Sequence, residues 1–390
     1  MRVLYVNQTG DVSGAERSLL ALIAGLEGEV EPLLACPDGT LAGLAAEAGI
    51  RREPILGTQA SFRLHPVHTS RGLLEIGRSA LQVRRLARRE APDLIHANTT
   101  RAALLALLAR RRRPPVLAHI RDWAPEGRFS RAVLGIVARR ADLVVANSAY
   151  VARQFDGLPL RRPVAVIHNP VDLGKFDPAQ ADRAASRREL GLEEGTVALA
   201  VVAQLTPWKG QDDAIRALAE LRAGGREDVT LLLAGSAKFS GPGTQFDNRA
   251  YERGLHALAA ELGVAERVRF LGERGDVPQV LAATDVLLLP SWQEAFGRIA
   301  IEAMAMGVPV AATEAGGPAE IVRPGIDGLL LPAREPGAWA RGLEPLVASA
   351  AERERMGSAG RERARDFSVP VHAGQVLDAY RRLTSPSRRG

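Results

Sequence analysis

Two glutamates are the residues of this chain whose type and spacing most suggest chemistry. Glu294 lies in a loop after an apolar run at 285–290 that predicts a buried strand, and Glu302 follows eight residues later in a predicted helix at 298–306. That helix has almost no polar face, so a carboxylate on it is costly to bury without a polar partner. If the loop folds over the helix start, both carboxylates face a ligand at the carboxyl end of a strand. The alternative is that Glu302 pairs with a neighbouring arginine and Glu294 is solvated.

A lysine lies in the loop that follows another predicted strand, at 197–203. The chain contains 51 lysines and arginines, of which only Lys175, Lys209 and Lys238 are lysines. Lys209 and Gly210 follow this strand, so a chain that uses arginine for nearly all its cations has kept a lysine at this position. The alternative interpretation is an ordinary surface lysine at the start of a helix.

The composition sets limits on the fold and the compartment. A chain of 390 residues predicts two domains, because one hydrophobic core rarely serves such a length. Cys36 is the single cysteine, which excludes a disulfide framework and a cysteine-based metal site, and we expect neither a metal nor a cofactor. The first residues lack the apolar core of a signal peptide, and the longest apolar run, 102–109, is too short to cross a bilayer. We therefore expect a soluble, cytoplasmic protein.

Charge is unevenly distributed along the chain. Residues 1–170 hold 24 basic and 15 acidic side chains, whereas residues 171–370 hold 23 and 29. Nucleic acid is the least supported partner, because aromatic residues are only 4% of the chain and are not interleaved with the arginines. Contact with an anionic membrane surface and an acceptor that bears phosphate both remain open, as do simple solvated helix faces.

The N-terminal half alternates predicted strands and helices, beginning with a strand at 3–6, a turn at 10–14 and a helix at 16–26. Glycines at such a junction let the backbone approach a ligand closely. Their spacing here is Gly-x3-Gly, which does not match the dinucleotide fingerprint, so an oxidoreductase is supported only weakly, by Asp38. Ser13 and Glu16 also fit an ordinary helix capping box.

A strand predicted at 115–119 ends at His119. The carboxyl ends of strands face the ligand in this architecture, and an imidazole there suits either a contact or a proton transfer near neutral pH. His96, at the end of the preceding predicted strand, is more simply interpreted as a core histidine. Three further polar or aromatic residues follow His119 and are candidate ligand contacts: Arg121, Asp122 and Trp123.

The stretch around the two glutamates resembles the E-x7-E motif of retaining glycosyltransferases of family 4, which have the two-domain GT-B fold. The similarity extends over nearly the whole chain. It includes these segments: Pro290-Ser291, Phe296-Gly297, Gly307-Val308-Pro309-Val310, Gly316-Gly317-Pro318-Ala319-Glu320, Ala146-Asn147-Ser148 and Asn169-Pro170-Val171-Asp172.

The resemblance implies roles for individual residues. Lys209 would grip the donor diphosphate, Glu302 the ribose hydroxyls and Glu294 a hydroxyl of the donor sugar. His119 would lie close to that sugar. The remaining implied donor-binding residues are Gly14, Gln204, Ala295, Phe296 and Gly297, and the acceptor-binding residues are Arg121, Asp122 and Trp123. His119, Glu294 and Lys209 are the implied catalytic residues.

Two positions depart from the family pattern. The family turn Gly-Gly-x-Glu reads Ser13-Gly14-Ala15-Glu16, and the arginine expected five residues before Lys209 is Gln204. Arg121, Arg274 or Arg298 could supply the missing charge. The adjacent glycines Gly316 and Gly317 permit close approach to a ligand.

We therefore predict an α/β protein of the GT-B class, with two Rossmann-like domains of parallel sheet facing across a cleft. Residues 1–170 and a final helix within 371–390 would form the acceptor-binding domain, and residues 171–370 the nucleotide-sugar donor-binding domain. The expected reaction is metal-independent transfer of a sugar, with retention, from a UDP- or GDP-sugar to a glycan, glycolipid or small-molecule hydroxyl. The segment 57–70, with His65 and His68, predicts a long loop that either contacts the acceptor or is disordered. A nucleotide-sugar epimerase and a binding protein without catalysis are the alternatives.

Overall fold

The computed structural model describes residues 1–58, 66–110, 113–238 and 246–385. It divides into two units, the first formed by Met1–Pro170 together with the chain from Val369 onward, and the second by Val171–Ser368. We call them unit 1 and unit 2. None of the helices in the described ranges combines the length and the apolar character that a bilayer crossing requires.

Unit 1 is built on a parallel sheet. Its described residues form seven strands in the order β3-β2-β1-β4-β5-β6-β7. The strands are β1 (Arg2–Val6), β2 (Glu31–Cys36), β3 (Arg51–Pro54), β4 (Leu94–Ala97), β5 (Val116–Ile120), β6 (Leu143–Ala146) and β7 (Ala165–Val166). Short apolar runs such as β4 and β5 are buried along their whole length, because helices cover both faces of such a sheet.

The helices of unit 1 alternate with these strands. They are α1 (Gly14–Gly25), α2 (Thr40–Glu47), α3 (Pro66–Glu90), α4 (Thr100–Ala109), α5 (Arg128–Arg140) and α6 (Ala149–Ala152). The prediction of a loop at 57–70 was wrong for its last five residues, because α3 begins at Pro66. The fixed φ of a proline suits the first helical position. The rest of that prediction, including His65, lies largely outside the described residues.

Unit 2 repeats the same architecture. Its described residues form a parallel sheet of six strands in the order β10-β9-β8-β11-β12-β13. The strands are β8 (Val197–Val202), β9 (Val229–Ala234), β10 (Val268–Gly272), β11 (Val286–Leu289), β12 (Val310–Thr313) and β13 (Gly328–Leu331). The helices are α7 (Arg183–Glu189), α8 (Gln211–Ala223), α9 (Asn248–Glu261), α10 (Val277–Ala283), α11 (Arg298–Ala305), α12 (Pro318–Ile321), α13 (Pro336–Ala348) and α14 (Ala350–Ala364).

The last helix, α15 (Val369–Thr384), returns to unit 1. Val369 and Ala373 pack against Gly25 at the end of α1, where a side chain larger than hydrogen would collide with them. The buried residues of α15 include Val376 and Tyr380, which belong to the same apolar cluster as β1 and α1. The fold of unit 1 therefore uses residues from both ends of the chain.

Candidate active site

The loops of unit 2 that carry the predicted donor-binding residues leave the same edge of the sheet. β8 pairs with β11, and β11 pairs with β12, all in parallel. Because parallel strands end at one edge, the loop after β8, with Lys209, lies beside the loop after β11, with Glu294. A backbone hydrogen bond of 2.9 Å from Trp292 N to Trp208 O joins the two loops.

Lys209 and Glu294 form an ion pair at this edge. Lys209 Nζ donates to Glu294 Oε2, and Ser291 Oγ donates to the same oxygen over 3.1 Å. The side chains of the pair are only 16% and 12% exposed, so the alternative that Glu294 is solvated was wrong. The ammonium also lies 4.8 Å from the centre of the Trp208 ring. The structure thus brings together two residues that are 85 positions apart in the chain.

Glycines allow these loops to pack backbone against backbone. Gly210 has φ +68° and its Cα faces the carbonyl of Pro290, so a Cβ there has no room. Gly316 has φ +103° and faces the Glu294 carbonyl, and Gly317 donates its N–H to that carbonyl over 2.9 Å. In this structure, the close approach that Gly316 and Gly317 allow is made by the loop that carries Glu294.

Glu302 lies in the second turn of α11, after Gly297, whose φ of +91° ends the loop. Arg298 Nη2 donates to Glu302 Oε1 over 2.8 Å, four residues apart on the helix. The alternative predicted for Glu302, an ion pair with a neighbouring arginine, is therefore present. Phe296 is buried and its ring lies edge-on to Phe367, 6.1 Å away, so its side chain serves the core. Ala295, beside it, contributes its carbonyl to the packing against Gly317.

Gln204, at the position of the expected arginine, makes two hydrogen bonds. Its side-chain Nε2 donates to the Lys238 backbone carbonyl over 3.2 Å, and its backbone carbonyl accepts from Gln211 Nε2 over 2.9 Å. Of the arginines considered as substitutes, Arg274 is held by Asp276 and Glu189. Arg298 is held by Glu302, and Arg121 belongs to unit 1.

One buried acid in unit 2 was not predicted from the sequence. Asp213, in the first turn of α8, is 8% exposed, and its Oδ2 has no hydrogen-bond partner in the described part of the chain. Burial, with a smaller contribution from the charge of Asp212, raises the pKa of Asp213 to about 6. Nearby, the Arg334 guanidinium lies 4.6 Å from the centre of the Trp292 ring. The sequence gives no signal for this cluster, because its members come from distant segments of the chain.

In unit 1, polar side chains follow successive strands at the carboxyl edge. Asn7, Asn98, Arg121 and Asn147 are the first residues after β1, β4, β5 and β6. Asn98 donates to Asn7 Oδ1 over 3.2 Å, Arg121 Nε donates to Asn98 Oδ1 over 2.9 Å, and Asn147 donates to the Arg121 carbonyl over 3.0 Å. Arg121 Nη1 also donates to Asn169 Oδ1. The network fixes a buried guanidinium at the strand ends.

His119 lies inside β5, one residue before its end, and is fully buried. Its Nδ1 is 3.2 Å from Arg121 Nη2. A guanidinium can only donate, so Nδ1 accepts and the ring proton is on Nε2. Burial, reinforced by the charge of Arg121, lowers the pKa of His119 well below its ordinary value. The ring is therefore neutral at pH 7, which makes it a good hydrogen-bond donor and a weak base.

Two more histidines lie around His119, and the sequence does not predict their grouping. The His96 ring centre is 5.3 Å from that of His119, and its Nδ1 is 2.5 Å from Tyr380 OH. His372 stacks on His119 at 6.0 Å and donates from Nδ1 to the His168 carbonyl over 2.6 Å. The interpretation of His96 as a core histidine agrees with its full burial. His372 and Tyr380 come from α15, so only the tertiary fold reveals this cluster.

The remaining predicted residues of unit 1 lie near the same edge. Ser13 donates from N and Oγ to Glu16 Oε2 over 3.0 and 2.6 Å, which is the predicted alternative for this turn, and Gly14 is the first residue of α1.

Asp122 accepts from Thr100 Oγ1 over 3.2 Å, and burial raises its pKa, opposed by Arg101. The Trp123 ring stacks on Tyr150 with centres 4.5 Å apart.

Two Rossmann-like units, each with polar groups on the carboxyl edge of a parallel sheet, define an α/β protein of the doubly wound class. Residues 182–363 match the family described as Glycosyl transferases group 1, and residues 12–175 match Glycosyltransferase Family 4. The chain belongs to glycosyltransferase family 4. The predicted GT-B fold class is confirmed.

Sequence relatives support the same family. The chain is 36% identical over 259 residues to D-inositol 3-phosphate glycosyltransferase of Salinispora tropica, covering 63% of this chain and 52% of the relative. It is 33% identical over 308 residues to the same-named protein of Actinosynnema mirum, covering 74% and 72%. The chain spans about half the length of several curated relatives that it matches.

A solved structure is similar over almost the whole chain. Anabaena HepE, crystallised in complex with UDP, superposes with a TM-score of 0.80 at 29% identity. The match covers 97% of this chain and 99% of HepE. HepE has also been crystallised with UDP-glucose.

Proposed function

We propose that this protein is a retaining glycosyltransferase that moves a sugar from a nucleotide-diphosphate donor to a hydroxyl group of an acceptor. The observation that carries the proposal is the Lys209–Glu294 ion pair at the carboxyl edge of the unit 2 sheet. A cation and a carboxylate held side by side at that edge suit a ligand that carries both phosphate and sugar hydroxyls. Family membership supports the same reaction.

Lys209 would bind the donor diphosphate. An ammonium has three N–H donors, so Lys209 can keep its bond to Glu294 and still donate to a phosphate oxygen. As the bond between the anomeric carbon and the phosphate oxygen breaks, the electron pair goes to the diphosphate and its negative charge grows. A preorganised cation stabilises that charge in the transition state.

Glu294 would accept a hydrogen bond from a hydroxyl of the donor sugar and stabilise positive character at the anomeric carbon. The acceptor oxygen would attack the face from which the diphosphate departs, and its proton would pass to the departing phosphate oxygen. Glu302 would hold the ribose hydroxyls, since a carboxylate has room for more than one hydrogen bond even while it accepts from Arg298. The proposed reaction uses no metal and no cofactor.

In unit 1, His119 would donate from Nε2–H to the donor sugar, and Gly14 would contact the donor through its backbone. The neutral state of His119 favours a binding contact over a proton-accepting role. Arg121, Asp122 and Trp123 would bind the acceptor. A phosphate-bearing polyol is the first acceptor class to try, because relatives are named for D-inositol 3-phosphate. UDP-sugars are the first donors, because HepE was crystallised with UDP-glucose.

The experiment is to incubate the purified protein with UDP- and GDP-sugars, with and without D-inositol 3-phosphate and other hydroxyl acceptors. A glycosylated product whose anomeric configuration matches the donor supports the proposal. An altered nucleotide sugar formed without an acceptor identifies an epimerase, and donor binding without turnover identifies a binding protein. Glu302→Ala tests the ribose contact, which is refuted if donor affinity and turnover do not change.

We also propose that unit 1 can contact an anionic membrane surface through α5. The exposed face of this helix combines Phe129 and Ile136 with Arg128, Arg139 and Arg140. Apolar side chains flanked by arginines are typical of helices that lie on anionic lipid. The test is sedimentation with vesicles that contain or lack phosphatidylglycerol. Arg139→Glu with Arg140→Glu should abolish binding to the anionic vesicles, whereas Arg222→Glu on α8 should not.

A further inference from the structure

A lysine lies next to the position where the diphosphate site of unit 2 lacks its expected arginine. The Gln204 side chain donates to the carbonyl of Lys238. The backbone of the two loops is also joined, because Leu205 N and Lys238 N both donate to the Ser236 carbonyl over 3.0 Å. Lys238 therefore follows β9 at the same edge of the sheet as Lys209, which follows the neighbouring strand β8.

The backbone of Lys238 is held in place by a fixed turn. Asn248 Nδ2 donates to the Lys238 carbonyl over 2.7 Å. Gly235, at the start of the turn, donates to the Gly272 carbonyl over 2.7 Å, and its Cα faces the Ala203 carbonyl so closely that no side chain fits. The position of Lys238 beside Gln204 is thus set by backbone contacts on both sides.

The side chain of Lys238 is able to change partner. Its Nζ lies 2.5 Å from Glu273 Oε1, but the two side chains are 44% and 59% exposed. Ion pairs at such exposed positions are weak, because water competes for both charges. A diphosphate carries more negative charge than one carboxylate and presents several oxygens, so it can draw the ammonium away from Glu273.

We infer that Lys238 is the second cation of the diphosphate subsite, replacing the charge that is absent at Gln204. The inference rests on the proposed function. The residue usage of the chain agrees with it, since two of the three lysines among 51 basic residues stand on these two adjacent loops. The four-carbon stem of a lysine allows the ammonium to move from Glu273 to a nearby anion while the backbone stays in place.

The test compares nucleotide binding by the full chain and three variants. Lys238→Met should weaken binding of UDP about tenfold, the effect of losing one charge-assisted hydrogen bond. Binding of uridine, which has no phosphate, should not change. Lys175→Met is the matched control, because it removes the remaining lysine of unit 2, which precedes α7 and is not in the loops after β8 and β9. It should leave UDP affinity unchanged. If the wild type prefers GDP, GDP and guanosine replace the uridine pair.

Charge exchange provides the second arm. Gln204→Arg placed in the Lys238→Met background should restore most of the lost UDP affinity. If Gln204→Arg does not restore UDP affinity in the Lys238→Met background, the claim that either position can supply the same positive charge is overturned. Equal losses for UDP and uridine overturn the assignment in favour of a structural role for Lys238.

The outcomes also separate this inference from the proposed function. A wild type that binds UDP and a Lys238→Met variant that binds it equally well overturn the assignment of Lys238 alone. A wild type that binds neither UDP nor GDP overturns the proposed function and the assignment with it. Melting of the unliganded variant should match the wild type, since the Glu273 pair is exposed.

Discussion

The Lys209–Glu294 pair predicts opposite effects of two single substitutions on nucleotide binding. Lys209→Met removes the cation and leaves the Glu294 carboxylate, only 12% exposed, with Ser291 as its remaining side-chain donor. Glu294→Gln keeps the lysine and releases it from its carboxylate. UDP affinity should therefore fall in the first variant, and stay equal or rise in the second.

The magnitudes follow from burial. Lys209→Met leaves a largely buried carboxylate without its charged partner, which costs about 1–3 kcal/mol of unfolding free energy. For a unit of this size the melting temperature changes by about 2–4 °C per kcal/mol, so a drop of about 2–12 °C is expected. Loss of the proposed contact to the diphosphate costs about 1.5–3 kcal/mol of binding free energy, which corresponds to a UDP affinity weaker by roughly 10- to 150-fold.

Calorimetric titration with UDP, together with melting curves of the unliganded proteins, measures both quantities. Glu294→Gln should lose most of its sugar-transfer rate while it retains UDP affinity, because the proposed contact of Glu294 is to the sugar. If Lys209→Met binds UDP as tightly as the wild type, Lys209 does not hold the diphosphate. If both variants lose UDP affinity equally, the pair acts only as a structural tie between the two loops.

Three further predictions concern stability. Gly317→Ala places a Cβ 2.5 Å from the Ala295 carbonyl oxygen, so it should lower both the melting temperature and the transfer rate, whereas Gly275→Ala, which meets no atom within 4 Å, should change neither. Asp213→Asn should raise the unfolding free energy by about 1–3 kcal/mol above pH 6. The folded-state pKa of Asp213, about 6, exceeds the unfolded value near 3.8, so ionisation of this carboxyl costs stability as pH rises through the interval. The gain from the substitution should therefore vanish near pH 4, as measured by urea titrations. Burial lowers the pKa of His372 to about 3 in the folded state. The contribution of the neutral ring to the unfolding free energy is therefore present above the unfolded pKa of about 6.5 and is lost as pH falls towards 3. His372→Gln should therefore reduce the loss of unfolding free energy between pH 6.5 and 5 by up to about 1 kcal/mol per pH unit, and an unchanged pH dependence would contradict the buried, neutral state of His372.

Much of the fold could be predicted from local patterns. Short apolar runs between turn residues indicate buried parallel strands, and β5, β11 and the start of α11 lie within two residues of their predicted positions. The helix that begins at Pro66 was missed at its start, because residues 66–70 have no apolar period and a proline there fits either a loop or a first helical turn.

The sequence by itself determined the alternation of strands and helices, the division of the chain into two α/β units and the family motif around Glu294 and Glu302. These features depend on residues close together in the chain, whose periodicity and spacing can be read directly. Only the tertiary structure decided the partners of the charges. Glu294 meets Lys209 from another strand, and His119 meets His372 from the end of the chain, because strand order and a returning helix set which distant residues become neighbours.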